Sequence, residues 1–295
     1  MERRRHEVMT EDGRRLVVEV SGPAEGDVVF FHTGTPSAGL LFDDLIVAGA
    51  ERGLRHVSYA RPGYADSDRQ EGRTVADCAR DVTAILDSLG VERFYVTGQS
   101  GGGPHSLATA ALLGDRVMAA AATACPAPLD AEGLDWAAGM GEENVEEYEA
   151  MKAGDDELRT YLEKEAEDLA SVTPDGVLAA LGDLVSEADR LIVTGRFADF
   201  MAPHLRESLR TGIWGWFDDD KSAGSWGFDL AAIEVPVTIW HGSEDRMVPF
   251  AHGKWLAEHV SGARSRLLPG EGHLSLLIGA YGEVLDDLIA SRPSP

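Results

Sequence analysis

Apolar positions in the first 128 residues fall into two alternating rhythms. Short runs that are apolar throughout are followed by stretches whose apolar positions recur every three or four residues. Val28-Val29-Phe30-Phe31 is wholly apolar and ends in Gly/Pro-rich residues, as a strand buried on both faces does. His56-Val57-Ser58-Tyr59 stops at Arg61-Pro62-Gly63, and Phe94-Tyr95-Val96-Thr97 stops at Gly98. Val17-Val18-Glu19-Val20, after a turn at Asp12-Gly13, predicts an antiparallel first strand. Between the last two buried runs, Val75, Cys78, Ala79, Val82, Ile85, Leu86 and Leu89 keep the spacing of an amphipathic helix. Thr74 is placed to cap that helix, with Asp77 three residues on, and Gly90 closes it. Strand, helix and strand joined by short Gly-rich turns predict a parallel sheet with helices on both faces.

From about 130 to 228 the β-type runs vanish. The segment reads as helical and acidic, with helices predicted over Glu142 to Met151 and Asp155 to Leu169. Between 130 and 225 there are 24 acidic and 8 basic residues, so this stretch carries 16 of the chain's 25 excess negative charges. Acid runs on a helix read as a solvated face. Four of the six tryptophans (Trp136, Trp214, Trp216 and Trp226) also lie here, as local core or as the wall of a pocket. The strand rhythm returns in Val235 to Trp240, ending at His241-Gly242, and in Arg264 to Leu268, ending at Pro269-Gly270. The expected organisation is one core built from 1–128 and 229–295, with 129–228 as a helical acidic cap or lid.

Charge narrows the partners. The 295 residues hold 51 Asp and Glu against 26 Lys and Arg, a formal net charge of -25. Such a surface repels phosphate, so nucleic acid and anionic lipid are not expected partners. The basic start at Met1 to His6 is not followed by an apolar stretch, so no signal peptide is read there. The longest mostly apolar stretch, Val117 to Ala124, is too short to cross a bilayer. Cys78 and Cys125 form neither a disulfide framework nor metal-type spacing. The expectation is a cytoplasmic protein that meets a small-molecule substrate, with no nucleic acid and no membrane partner. Assembly into a homo-oligomer is left open.

The sharpest motif is Gly98-Gln99-Ser100-Gly101-Gly102, which fits G-x-S-x-G. It follows an apolar strand directly and precedes a small-residue helical run from Pro104 to Leu113. A sharp turn in that setting strains the serine backbone and presents its hydroxyl beyond the strand end. A Gly-rich phosphate loop is not indicated at 101–103, because no G-K-[ST] follows.

With this motif the chain resembles the α/β-hydrolase superfamily in its serine-nucleophile form. The resemblance covers roughly 10–128 and 229–290. It extends to His32-Thr33-Gly34-Thr35-Pro36, similar to the family's H-G-x-P oxyanion segment with one residue between His and Gly. It extends also to Tyr59 through Ser67, similar to the D-x-x-G-x-G-x-S loop, although Ala60 and Ala65 replace the commoner residues. What it implies is an α/β fold: a mostly parallel eight-stranded sheet with flanking helices and an inserted helical cap over the catalytic face.

A serine hydroxyl at neutral pH needs a base, and the base needs an orienting acid. The resemblance places them in the chain order Ser, acid, His. Asp245 lies just past a predicted strand end, with Glu244 and Asp130 as rival acids. Among nine histidines, His273 in Gly270-Glu271-Gly272-His273 follows the last strand and matches the family's closing G-H. His105 is expected to point away from the turn. His252 and His259 are expected at surface or interface positions, and His32 and His241 in structural roles. The implied chemistry is attack by Ser100, with His273 as base and Asp245 as its orienting acid. The Gly101 N–H, joined by resemblance by that of Thr35, holds the oxyanion. No cofactor and no metal are expected.

The expected activity is hydrolysis of a small, neutral, partly apolar ester, thioester or lactone. Two other enzymatic readings stay open: a proline-iminopeptidase-like aminopeptidase or amidase, whose acidic cap would bind a substrate ammonium, and carbon–carbon bond hydrolysis. A reading of another class is a ligand-binding receptor on a hydrolase scaffold, marked by tight binding without product.

Overall fold

The computed structural model describes residues 2–292. Met1 and residues 293–295, at the ends of the two predicted core segments, lie outside the described residues. The chain begins with β1 (Arg3–Met9), β2 (Arg15–Ser21), β3 (Asp27–His32), α1 (Asp43–Glu51) and β4 (Leu54–Ala60). It continues through α2 (Cys78–Ser88), β5 (Phe94–Gln99), α3 (Gly103–Leu112) and β6 (Val117–Thr123). A helical stretch follows: α4 (Glu142–Ala153), α5 (Asp155–Leu169), α6 (Val177–Ala180), α7 (Glu187–Ile192), α8 (Gly195–Ser208) and α9 (Trp214–Ala223). The last elements are β7 (Val237–Gly242), α10 (Phe250–His259), β8 (Arg264–Leu268) and α11 (His273–Ala290).

Among the described residues, eight strands form one sheet in the order β1-β2-β4-β3-β5-β6-β7-β8. Only the β1–β2 and β2–β4 pairings are antiparallel. The doubly apolar strands have the expected cause. Val28 and Phe30 face one hydrophobic layer with α2, while Val29 and Phe31 face the other with α1 and α11. Because strand side chains alternate, a strand covered on both faces must be apolar at every position. Cys78 and Cys125 are buried free thiols within these layers.

Two differences from the sequence reading have clear reasons. The strand β1 has no apolar run, since it is a sheet edge whose only buried residue is Val8. Its arginines face solvent, which blunts an edge against further pairing. The strand predicted from Val235 begins at Val237 because Pro236 has no N–H for the ladder, although its carbonyl accepts from Ala120.

The α2 helix forms as its spacing predicts, preceded by a single 3-10 turn at Val75–Asp77. Asp77 accepts both the N–H (2.7 Å) and the hydroxyl (2.9 Å) of Thr74. The helices between β6 and β7 dock on the sheet core through Leu158, Leu162, Ile213 and Trp216, packed with Ala38, Tyr64 and Ala65. Among the described residues, no helix is long and apolar enough to cross a membrane.

Connectivity selects one place for a site. From β3 the chain goes to β4 on one side, while β5 lies on β3's other side. The loops leaving β3 and β5 therefore part there, and open α/β sheets bind ligands beyond the strand ends at such a point. The register pairs His32 with Gly98, so the segment after β3 and the turn after β5 emerge side by side.

Leu86 is fully buried between α2 and the sheet. Leu86→Ala should cost about 2–5 kcal/mol in urea unfolding, against about 1 kcal/mol for Asp77→Ala at the helix start.

Candidate functional site

Ser100 leaves β5 with a φ of 56°, in the left-handed region that a side chain adopts at a cost of about 1–3 kcal/mol. Close packing holds it there. A Cβ on Gly98 would lie 2.1 Å from the Gly102 carbonyl oxygen, and one on Gly102 would lie 2.1 Å from that of His32. The two glycines let β3, β5 and α3 approach to backbone contact, so the turn has no room to relax.

The turns after β7 and β8 bring the other two predicted residues together. The Nδ1–H of His273 donates to Asp245 Oδ2 at 2.8 Å. Asp245 Oδ1 accepts the N–H groups of Met247 (3.0 Å) and Val248 (2.8 Å), which fixes the carboxylate from behind. Both residues are buried. Burial opposes charge on the His273 ring, but the Asp245 carboxylate outweighs it and Asp189 adds to it, so the imidazole is raised above its ordinary value. Of the rival acids, Glu244 and Asp130 are exposed and neither is bonded to His273.

His273 Nε2 receives the side-chain amide N–H of Gln99 at 2.7 Å. With Nδ1 donating to Asp245, Nε2 is an acceptor, so the amide nitrogen of Gln99 must face it. This contact was not foreseen. Gln99 is the variable position of the motif, and nothing in its spacing marks a partner 174 residues away.

Thr35 stands beside the turn, as the paired β3 and β5 ends require. A Cβ on Gly101 would lie 2.4 Å from Thr35 Oγ1 and 3.5 Å from its backbone nitrogen. The Thr35 hydroxyl donates to Asp219 Oδ2 at 2.8 Å. Asp219, on α9, also accepts from Tyr64 (2.8 Å), Arg73 (2.6 Å) and Arg61. Arg61 donates onward to the carbonyls of Thr33 and Gly34 (2.8 Å for the latter). Burial opposes the Asp219 charge, but Arg61 and Arg73 outweigh it and hold the carboxyl far below the usual carboxylate range. Arg61 is thus turned into this cluster, and neither cavity described below has a lysine or arginine on its wall.

Five of the other histidines take defined places in the fold. His105 folds back under the turn instead of away from it, and its Nδ1–H donates to the Gly101 carbonyl at 2.9 Å. Burial lowers its pKa to about 3, so it is neutral. His32 stacks on it and bonds Thr109. His252 is not a surface residue: it accepts the Ala127 N–H at 3.0 Å and donates to the Trp136 carbonyl at 2.8 Å. It sits on the inward face of α10, whereas His259 is exposed and stacked on Trp255. His241 is buried and bonds the Val248 carbonyl, as a structural histidine would.

Two cavities meet at Ser100. The larger, about 310 Å³, is lined by His273 and by apolar side chains such as Leu41, Phe42, Phe197, Phe200, Leu205 and Leu277. The smaller, about 120 Å³, lies against Gly101, Trp136, Met140, Tyr148 and Trp226. Ser100, Thr35, Glu147 and Asp220 line both. Of the four tryptophans in the helical stretch, Trp136, Trp216 and Trp226 face these cavities, while Trp214 is partly exposed beneath the Arg69 guanidinium.

The acid run Asp218-Asp219-Asp220 is not a solvated face. Asp218 pairs with Arg69, Asp219 enters the arginine cluster, and Asp220 turns toward Glu147. Burial, and then repulsion from Glu147, pushes Asp220 well up, and burial also raises Glu147. The acids at 155–157, in the first turn of α5, are exposed as expected.

Comparison with known proteins agrees with this architecture. The family model described as "alpha/beta hydrolase fold" matches residues 27–280. The chain is 27% identical to the bifunctional esterase/perhydrolase DCH of Acinetobacter calcoaceticus, over 90% of this chain and 92% of that one. It is 25% identical to a non-heme chloroperoxidase of Streptomyces lividans, over 96% and 98%. The enol-lactonase of Burkholderia xenovorans LB400 superposes with a TM-score of 0.70 at 19% identity, over 97% of this chain and all of that one. The chain is a member of the alpha/beta hydrolase fold family.

Proposed function

We propose that the protein is a serine hydrolase that cleaves a small, partly apolar carboxylic ester, thioester or lactone through an acyl-enzyme on Ser100. The observation that carries the reading is the meeting of a strained Ser100 and an Asp245-bonded His273 on one largely apolar cavity. The esterase relative supports the ester class. Residues 129–228 act as the cap, because α4, α5, α8 and α9 supply the cavity wall opposite the sheet.

The reaction runs in two halves. His273 Nε2 takes the Ser100 proton as the oxygen attacks the carbonyl carbon, which requires the Gln99 amide to leave that nitrogen. Asp245 holds the ring in the tautomer with Nδ1 protonated and stabilises its cation. Negative charge gathers on the former carbonyl oxygen and meets the N–H groups of Thr35 and Gly101. Collapse expels the leaving group, protonated by His273. Water activated by His273 then releases the acid and restores Ser100. The larger cavity takes the apolar acyl part and the smaller takes the leaving group.

A second reading has its own support. Glu143, Glu147, Glu165 and Asp220 line the larger cavity, and no lysine or arginine does. A substrate ammonium near Glu147 and Asp220 would meet two carboxyl groups with no competing cation on the wall, which favours an aminopeptidase or amidase. Turnover of aminoacyl arylamides above that of esters would decide for it.

Short p-nitrophenyl esters test the first reading. Each added acyl methylene should raise kcat/KM about fourfold until the cavity is filled. Ser100→Ala should lower kcat by at least about 10⁴-fold; full activity in that variant would remove Ser100 from the reaction. The base works only when neutral, so kcat/KM should rise with pH through the His273 pKa. Because that pKa is raised, the midpoint should lie above the ordinary histidine value of about 6.5. A midpoint below that value would contradict the Asp245–His273 pairing.

A further inference from the structure

Asp189 belongs to α7, among the cap helices, yet its carboxylate faces the segment that carries His273. Its Oδ1 accepts the N–H groups of Leu274 (2.8 Å) and Ser275 (2.9 Å), and its Oδ2 accepts that of His273 (3.2 Å). The N–H (3.2 Å) and hydroxyl (2.9 Å) of Ser186 also donate to Oδ2. The residue is fully buried and, among the described residues, pairs with no lysine or arginine.

The three acceptances from α11 serve first-turn N–H groups, which have no partner inside their own helix. The usual solution is an N-cap side chain. Here the N-cap is Gly272, which has none, and a Cβ there would lie 2.4 Å from Asp189 Oδ2. A carboxylate 84 residues earlier in the chain takes over the task. A buried carboxylate without a counter-ion is costly, whereas a local serine would cap with no charge. What the carboxylate adds is a second negative charge at the base, at the helix end where negative charge is favoured.

We infer that Asp189 is a positioning residue for His273: it fixes the first turn of α11, from which the imidazole reaches Asp245, and its charge favours the imidazolium formed during turnover. The inference rests on the reading of His273 as the base. The groups facing that ring are Asp245 after β7, His241 on β7, Gln99 on β5 and Asp189 on α7. The helix's own neighbour Glu271 is engaged by the Ser275 hydroxyl at 2.6 Å. Asp189 lines neither cavity, so its loss should act on the chemical step and not on substrate binding.

The test is NMR titration of the His273 ring in the wild type and in Asp189→Asn, with kcat and KM for p-nitrophenyl butyrate alongside. The ring pKa should fall by at least about half a unit. In the same variant kcat should fall about 10- to 100-fold, with KM within about twofold. An unchanged ring titration with wild-type kcat would overturn the inference. If Ser100→Ala keeps full turnover, the serine reading fails on its own, and the ring titration still decides the role of Asp189. Should Asp189→Asn not fold, amide exchange in the wild type decides: slow exchange at 273–275 supports the contact, and fast exchange overturns it.

Discussion

Asp219 lies buried between the guanidiniums of Arg61 and Arg73, with Tyr64 and Thr35 completing its acceptor capacity. Burying one carboxylate with two guanidiniums is costly in desolvation, and removing a partner leaves an uncompensated buried charge. Through this cluster α9 is tied to the loop after β4, and through Arg61 to the carbonyls of Thr33 and Gly34. The backbone nitrogen of Thr35 is thereby held beside Gly101 without any direct bond between the two residues. Losing Asp219 would leave two buried cations, a change on the order of 3–5 kcal/mol.

The rest of the site obeys one topological rule. Thr35, Ser100, Asp245 and His273 each follow the C-terminal end of a parallel strand, namely β3, β5, β7 and β8. Strand pairing therefore sets their spacing before any side chain acts, and the left-handed turn at Ser100 lifts its hydroxyl out of the sheet plane. The helices between β6 and β7 then close over that edge and contribute carboxyl groups inward, at Asp189, Asp219 and Asp220. The segment that gives the chain most of its excess negative charge thus also supplies buried acids around that edge.

The core was legible because its determinants are local. Apolar runs and helical spacing mark elements whose residues meet their neighbours in the chain, and the Ser100 turn has a fixed pattern. The position of Asp245 and of His273 relative to strand ends was readable for the same reason. The acids of the helical stretch were not. Asp218, Asp219 and Asp220 are consecutive, and on a helix successive residues point about 100° apart, so three different environments hide in one acidic run. Ser186 through Asp189 shows the capping pattern of its own helix. That its carboxylate also reaches α11 depends on how the helices pack, which no local pattern encodes. His105 and His252 were misplaced for a similar cause: which face of α3 or α10 turns inward at a single histidine is decided by tertiary contacts.

All of this converges on a covalent claim, that Ser100 carries the acyl group between two half-reactions. The measurement that reaches it most directly is rapid quenching of the enzyme with a short p-nitrophenyl ester, followed by intact mass and peptide mapping. The account predicts an adduct of one acyl group, confined to the peptide that contains Ser100 and absent in Ser100→Ala. Turnover of the ester with no adduct on any residue, or an adduct on a residue other than Ser100, would contradict it.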